Sequence, residues 1–401
     1  DIPKAYQISQ YKYPLVTGGS LRGVAITRVH LEEDTASSQH DSANDLSMVN
    51  FNRAGMPLME LVTEPVIHAA KEAGDFAREL QLLLSPVYLD VSEANMEKGE
   101  LRVEANISVS KSLGLNAAGS GVGQTSQSDV LGTKVEVKNL NSFRAMERAI
   151  DYEYKRQTEL LEAGGTVEQE TRGWDENKQA TFSQRKKESS HDYRYFPDPD
   201  LPKFYLSEIA EFQNLQATLP ELPDAKRARY ERDYGIQADD VEVFVTNLPY
   251  AELFEKTVVI VGKDKAQLVA NYITSDLAGL HKNGGSGNPS AETLAELMGM
   301  IAGDEISSRG AKDILAKLVA NGGAPHAIAE AKGLFQKSDE REILKIVEQV
   351  IAENEKVVAD YKAGNAKSIQ FLIGQGMKLS GGAANPTVLA KLFTAQILDQ
   401  K

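Results

Sequence analysis

Leu101-Arg102-Val103-Glu104-Ala105-Asn106-Ile107-Ser108-Val109 alternates apolar and polar side chains without a break. A period of two is that of a half-buried strand: Leu101, Val103, Ala105, Ile107 and Val109 share one face, and Arg102, Glu104, Asn106 and Ser108 share the other. Gly132-Thr133-Lys134-Val135-Glu136-Val137-Lys138 repeats the pattern, with Val135 and Val137 inward and Lys134, Glu136 and Lys138 opposite. The two stretches are expected to pair as a hairpin. Ser112 to Asp129, rich in Gly, Ser, Ala and Asn, would be its long flexible loop.

Around this sheet the spacing predicts two helices. One follows Pro65, carries Ala69, Phe76, Leu80 and Leu83, and stops near Ser85-Pro86. The other starts at an Asn141-Ser142 cap, lines up Phe143, Met146, Ile150, Tyr154 and Leu161, and ends at Gly164-Gly165. Val167 to Thr171 and Ala180 to Gln184, separated by Asp175-Glu176-Asn177-Lys178, read as a further hairpin.

Composition changes across Leu219-Pro220-Glu221-Leu222-Pro223, where proline excludes helix. Beyond it Ala, Leu, Glu and Lys dominate, and helices are punctuated by Gly284-Gly285-Ser286-Gly287 and Gly322-Gly323. A second break near Lys332-Gly333 precedes Ser338-Asp339-Glu340-Arg341, which opens another helix. The expected organisation is an α+β domain with an antiparallel sheet over residues 1–215, an all-α domain over 216–332 and a small all-α tail over 333–401. At roughly 150 residues per domain, 401 residues suit two or three domains.

The 44 Lys and Arg against 58 Asp and Glu leave a formal charge of −14, which argues against broad, salt-driven nucleic-acid binding. With no cysteine there is no disulfide, thiolate nucleophile or Cys-ligated metal. No window approaches the ~18 apolar residues of a membrane span. Asp1-Ile2-Pro3 reads as the interior of a domain rather than a leader. A Walker loop, a nucleophile elbow and a His-Glu-x-x-His zinc helix are absent from the sequence, and Gly119 to Gln124 reads as a loop rather than a dinucleotide fingerprint.

Chemistry is concentrated instead in carboxylates on polar strand faces: Glu104, Glu136, and the run His30-Leu31-Glu32-Glu33-Asp34 that ends a third strand. Hard oxygen ligands converging on one face suit Mg²⁺ holding a nucleotide phosphate. The same residues, with Lys134, Lys138 and Arg102, also suit a solvated outer face. Parity sets Glu33 with Val29 and Leu31. His30 and His191 fit either a ligand or a hydrogen-bonded structural role. His191-Asp192-Tyr193-Arg194-Tyr195-Phe196-Pro197 mixes aromatics with Arg; it suits stacking on a base and meeting a phosphate, and equally a domain-edge core. In the tail, Lys367, Lys378 and Lys391 beside Ile369, Phe371, Leu372, Ile373 and Met377 fit an RNA-touching face or an ordinary amphipathic helix.

Five stretches closely resemble signature segments of the B subunit of the aspartyl/glutamyl-tRNA amidotransferase family, in the family's order. They are Tyr6-Gln7-Ile8-Ser9-Gln10, Arg28 to Asp34, Asn52-Arg53-Ala54-Gly55-Met56-Pro57-Leu58-Met59-Glu60, Glu136 to Phe143, and Asp192 to Pro197. Ile306 to Lys312, and Phe371 to Lys378 with Asn385-Pro386, extend the likeness to the C-terminus.

The resemblance implies a cradle-shaped catalytic domain, a helical connecting domain and a helical tail that meets tRNA. It implies an ATP-dependent carbon–nitrogen ligase with glutamine as amido donor. ATP phosphorylates the side-chain carboxylate of Glu or Asp misacylated onto tRNA(Gln) or tRNA(Asn), and ammonia displaces the phosphate. Mg²⁺ and ATP are the implied cofactors. The implied partners are the glutaminase (amidase) or A subunit, the small C subunit and misacylated tRNA; the implied setting is a bacterial cytoplasm or an organellar matrix, without membrane attachment. By position in the motifs, Glu33, Glu104 and Glu136 take metal and catalytic roles, Lys138, Tyr193 and Arg194 meet the nucleotide, and Lys378 and Asn385 meet tRNA. Two features depart from the family. Val103-Glu104 stands where an Asp preceded by Cys is usual, and the family's strand whose Glu and His help hold metal has no counterpart here, which makes the cradle N-terminally incomplete. A non-catalytic tRNA-binding scaffold is the alternative this leaves open, whereas the archaeal Glu-specific relative would need an inserted domain for which residues 200–332 have no room.

Overall fold

The computed structural model describes residues 10, 13–41, 43–110, 131–186, 202–336, 340–380 and 384–399. The Ser112–Asp129 loop, His191, Tyr193 and Arg194 lie outside them. Two compact units divide the chain, residues 1–222 and 223–401.

In the first unit, β1 (Val16–Thr17), β2 (Ser20–Leu21) and β6 (Pro57–Thr63) all pair antiparallel with β3 (Val24–Glu33). Leu21 opposes Val24 across Arg22-Gly23, both with positive φ (52° and 79°). That two-residue geometry matches the twist of the strands it joins, and Gly adopts it without a Cβ penalty. A separate hairpin, β4 (Ser37–Asp41) with β5 (Leu46–Asn50), lies between β3 and β6 in sequence.

The second sheet runs β10 (Ala180–Lys186), β9 (Glu170–Asp175), β8 (Val135–Leu140), β7 (Val103–Ile107). β7 and β8 pair antiparallel as the alternation implies, with Ala105 opposite Val137 and Ile107 opposite Val135. β9 starts at Glu170, later than Val167, and pairs antiparallel with β10. The sheet is not wholly antiparallel, because β8 and β9 run parallel. Between them the chain passes through a helix, α2, and so returns in the same direction.

α1 (Ala70–Leu84) and α2 (Phe143–Glu162) close one face of this sheet. Ser142 caps α2, its hydroxyl accepting from Ala145 N at 3.0 Å. Ala73 and Ala77 of α1, Ala145, Met146 and Ala149 of α2, Ala105, Val137, Leu140 and Trp174 form one core. The expected stripe through Tyr154 is corrected: Tyr154 is 61% exposed. α2 instead buries Glu153 and Gln157, polar residues that hydrogen bonds make tolerable inside. Glu153 accepts from Arg156 Nε (2.9 Å), Arg156 Nη2 (2.8 Å) and Gln157 Nε2 (3.1 Å), and lies 3.1 Å from Arg172 Nε.

Residues 202–222 are almost wholly exposed and include α3 (Leu215–Thr218), and the second compact unit starts at Pro223. The second unit is helical throughout its described elements. It comprises α4 (Pro223–Tyr234), α5 (Ala238–Thr246), α6 (Leu248–Val261), α7 (Ala266–Asn271), a π-helical stretch at Tyr272–Leu277, α8 (Ala278–Lys282), α9 (Ala291–Ala302), α10 (Ser308–Asn321) and α11 (Pro325–Lys332). α12 (Glu340–Glu353), α13 (Glu355–Lys362), α14 (Ser368–Leu379) and α15 (Pro386–Asp399) follow. Tyr230, Phe244 and Phe254 stack at the start of this unit, with ring centroids 4.6–5.7 Å apart. Gly333 ends α11 in the left-handed conformation. Past it, Ile343, Val347, Val350, Val358, Leu372, Leu389, Phe393 and Ile397 make a core of their own. No described helix is long and apolar enough to cross a membrane.

Candidate active site

Strand parity decides which side chains meet on β3. His30 and Glu32 are two apart, and the register sets His30 directly opposite Glu60 of β6. These three share a face, while Glu33, opposite Pro57, belongs with Leu31 on the other. His30 Nε2 lies 2.9 Å from Glu32 Oε1 and 4.0 Å from Glu60 Oε2. One ligand atom from each of the three falls within 4.8 Å of the others.

His30 and Glu32 are largely shielded from solvent, with side chains 12% and 11% exposed; Glu60 is half-buried. Burial, and then the Glu32 charge, push the Glu60 carboxyl above its ordinary value, with His30 and Arg28 opposing and Glu104 adding to the rise. His30 Nδ1 is buried without a hydrogen-bond partner among the described residues. A divalent cation would relieve this crowding of negative charge, and two carboxylates with one imidazole are a ligand set it can use.

Glu104 brings the second sheet into this field. A bulge in the β7–β8 pairing sets the single residue Glu104 against Lys138 and Asn139, the latter at φ 61°. Lys138 Nζ donates to Glu104 Oε1 at 2.9 Å and lies 3.9 Å from Glu136 Oε1. Glu136 Oε2 accepts from the Thr171 hydroxyl at 2.9 Å. Glu104, Glu136 and Lys138 are therefore gathered on adjoining strands, and the Glu104 charge adds to the rise of the Glu60 carboxyl.

Immediately after the acidic run, Asp34 is buried and accepts from Arg53 Nε (2.6 Å) and from Arg102 Nη2 (2.7 Å) and Nη1 (3.3 Å). Burial works to raise the Asp34 carboxyl, but the bonds from Arg53 and Arg102 outweigh it and hold the group below its usual range. A hollow of about 290 Å³ opens here, lined by Asp34, Thr35, Ser37, Asn50, Asn52 and the two arginines.

In the second unit, Lys378 is exposed in the last turn of α14. Asn385 is buried, and its Oδ1 accepts from Thr387 N (2.8 Å) and Val388 N (3.3 Å), capping α15. Sequence reasoning took Glu32 and Asp34 only as members of an acidic run and gave no chemical role to Glu60 or Arg53. The i, i+2 spacing of His30 and Glu32 was a readable signal for the first. Glu60, Asp34 and Arg53 join only through pairing across the fold, which has no local signature.

Residues 1–210 match the family model described as the GatB/GatE catalytic domain, and residues 252–397 match one described as the GatB domain. The chain is 42% identical over 420 aligned residues to the B subunit of the aspartyl/glutamyl-tRNA(Asn/Gln) amidotransferase of Herpetosiphon aurantiacus, covering 99% of this chain and 82% of that one. It is 41% identical to the B subunit of Gloeothece citriformis, covering 100% and 81%, and 41% identical to that of Halorhodospira halophila, covering 99% and 82%.

Proposed function

The chain belongs to the B-subunit family of the aspartyl/glutamyl-tRNA amidotransferases, and on that premise we propose that it is the ATP-using, tRNA-directed component of a glutamine-dependent amidotransferase. The family name carries a tRNA-dependent ligase made of several subunits. In our reading the first unit is the cradle that activates the side-chain carboxylate of Glu or Asp esterified to tRNA. Ammonia from the glutaminase partner, held to this chain with a small third component, then forms the amide, and the tail reaches the body of the tRNA.

One observation carries the reading: the gathering of His30, Glu32 and Glu60, with the Glu60 carboxyl raised by burial and by Glu32. A free carboxylate is a poor acyl donor until one oxygen becomes a good leaving group, so the chemistry needs phosphoryl transfer. Bound Mg²⁺ would offset charge on the transferring phosphoryl group. Glu32 and Glu60, with His30, would hold it, and Glu104 and Glu136 would close the β7–β8 side. Lys138, fixed by Glu104 and Glu136, would meet the nucleotide from that wall, as the resemblance assigns. Family likeness gives Tyr193 and Arg194 the same role.

The test is ATP-dependent amidation by the reconstituted complex carrying Glu32→Gln, Glu60→Gln or Glu33→Gln. Loss of amidation in the first two, with glutamine hydrolysis by the partner retained and Glu33→Gln active, is the expected result. Wild-type amidation by Glu32→Gln and Glu60→Gln would reject the assignment, and loss in Glu33→Gln alone would return the metal to Glu33.

A further inference from the structure

The Asp34 hollow is not explained by the acidic face beside it. A single guanidinium would balance a single buried carboxylate, yet Arg53 and Arg102 arrive from distant parts of the chain to share Asp34. Two positive groups and one negative leave a net positive charge at the rim. Arg53 spends Nε on Asp34, and Arg102 spends Nη1 and Nη2, so both terminal nitrogens of Arg53 and the Nε of Arg102 have no partner among the described residues. The side chains are 38% and 55% exposed, so these N–H groups are reachable from solvent. Around them stand the hydroxyls of Thr35 and Ser37 and the amides of Asn50 and Asn52, a wall rich in hydrogen-bond donors.

Chain connectivity ties this hollow to the acidic face. Asp34 follows Glu32 by two residues, and Arg102 precedes Glu104 by two. Cation-binding carboxylates and fixed guanidiniums side by side are what a transferring phosphoryl group requires: a counter-ion on one flank and rigid donors on the other. A planar guanidinium locked on its inner edge presents its outer N–H groups in a fixed fork that matches phosphate oxygens.

We propose that Arg53 and Arg102, clamped by Asp34, form a phosphoryl-binding site whose ligand is either the polyphosphate of ATP or a backbone phosphate at the aminoacylated end of the tRNA. The proposal rests on the reading of the chain as the ATP-using component. Asp34 is a positioning residue in it, orienting both guanidiniums without touching the ligand.

The experiment is steady-state amidation by the reconstituted complex with Arg53→Ala, Arg102→Ala and the Arg→Lys variant at each position, varying Mg-ATP and misacylated tRNA separately. Loss of a charge-assisted hydrogen bond at a half-exposed site predicts a rise in KM of about tenfold for each Ala variant. The rise appears in KM for ATP with KM for tRNA unchanged if the nucleotide is the source, and the reverse if the tRNA backbone is. Either result supports the site. Equilibrium dialysis of Mg-ATP against the tRNA-free complex, with inorganic tripolyphosphate as competitor, reads the nucleotide arm without turnover. Should the Ala variants not fold, the Lys variants keep the charge while losing the fork, and the same shift is expected in them. Folded variants with both KM values at wild type overturn the proposal. A wild-type complex that neither binds ATP nor amidates would instead remove the reading beneath it.

Discussion

Replacing Glu153 by Gln tests the buried network that fixes α2 to the sheet carrying Glu104 and Glu136. The Glu153 side chain is fully buried, and besides Arg156, Gln157 and Arg172 it accepts from Thr181 Oγ1 at 2.5 Å. Removing one member of a buried ion pair costs ~3–5 kcal/mol, because its partner is left uncompensated. The lower end applies here: Arg156 is 24% exposed, and Arg172 keeps Glu170 at 2.5 Å. A loss of ~3 kcal/mol corresponds to a fall in melting temperature of roughly 6–12 °C for a unit of this size. pH gives a second, independent reading. Burial pushes the Glu153 carboxyl up, but bonds from Arg156, Thr181 and Gln157 prevail and hold it below its ordinary 4.5. A group lowered on folding stabilises above its unfolded value, and that contribution disappears as pH falls through the folded one. The gap between wild type and Glu153→Gln, measured by urea denaturation followed by circular dichroism, is therefore full at pH 7 and shrinks below pH 4.5. A variant within about 1 kcal/mol of wild type at pH 7, or a gap independent of pH, would refute the argument.

Lys378→Ala is expected to weaken tRNA binding by the complex and reduce the slope of log affinity against log salt by about one, seen by filter binding across a salt series; an unchanged slope removes Lys378 from the tRNA face. Asn385→Ala removes the cap of α15 and is expected to cost ~1 kcal/mol of stability by chemical denaturation, while tRNA affinity measured on the folded protein separates capping from contact. A Cβ at Gly376 would stand 3.0 Å from Leu389 Cδ2 and 3.4 Å from Phe393 Cε2, so Gly376→Leu should destabilise the tail by more than ~2 kcal/mol, and a wild-type melting curve would show that α14 and α15 cross less closely.

Much of the architecture was legible wherever one face of an element meets apolar neighbours. The alternation of Leu101–Val109 and Gly132–Lys138 yielded the β7–β8 pair, and Ser142 with the glycines at 164–165 delimited α2. The β4–β5 hairpin left no such trace, because Ser37-Ser38-Gln39-His40-Asp41 is polar on both faces. Tyr154 misled for the opposite reason. Apolar spacing cannot reveal that Glu153 and Gln157 go inward, since their burial depends on Arg156, Arg172 and Thr181. At the site, local sequence marked Glu104 and Glu136 as polar-face carboxylates and set Glu33 with Leu31. It held no sign that β6 would bring Glu60 against His30, or that Arg53 and Arg102 would meet on Asp34.

The parallel neighbour of β8 has a consequence for how this molecule is made. Glu136 and Lys138 sit on a strand bordered by β7 on one side and, on the other, by a strand that emerges only after α2 has been completed. Such long-range closure raises contact order and slows folding. A nascent chain that has not passed residue 175 cannot shield that edge. On the proposed reading, a polypeptide not yet extended past β9 leaves the Glu136 and Lys138 wall without that neighbour, so ATP is used only after β9 has joined the sheet.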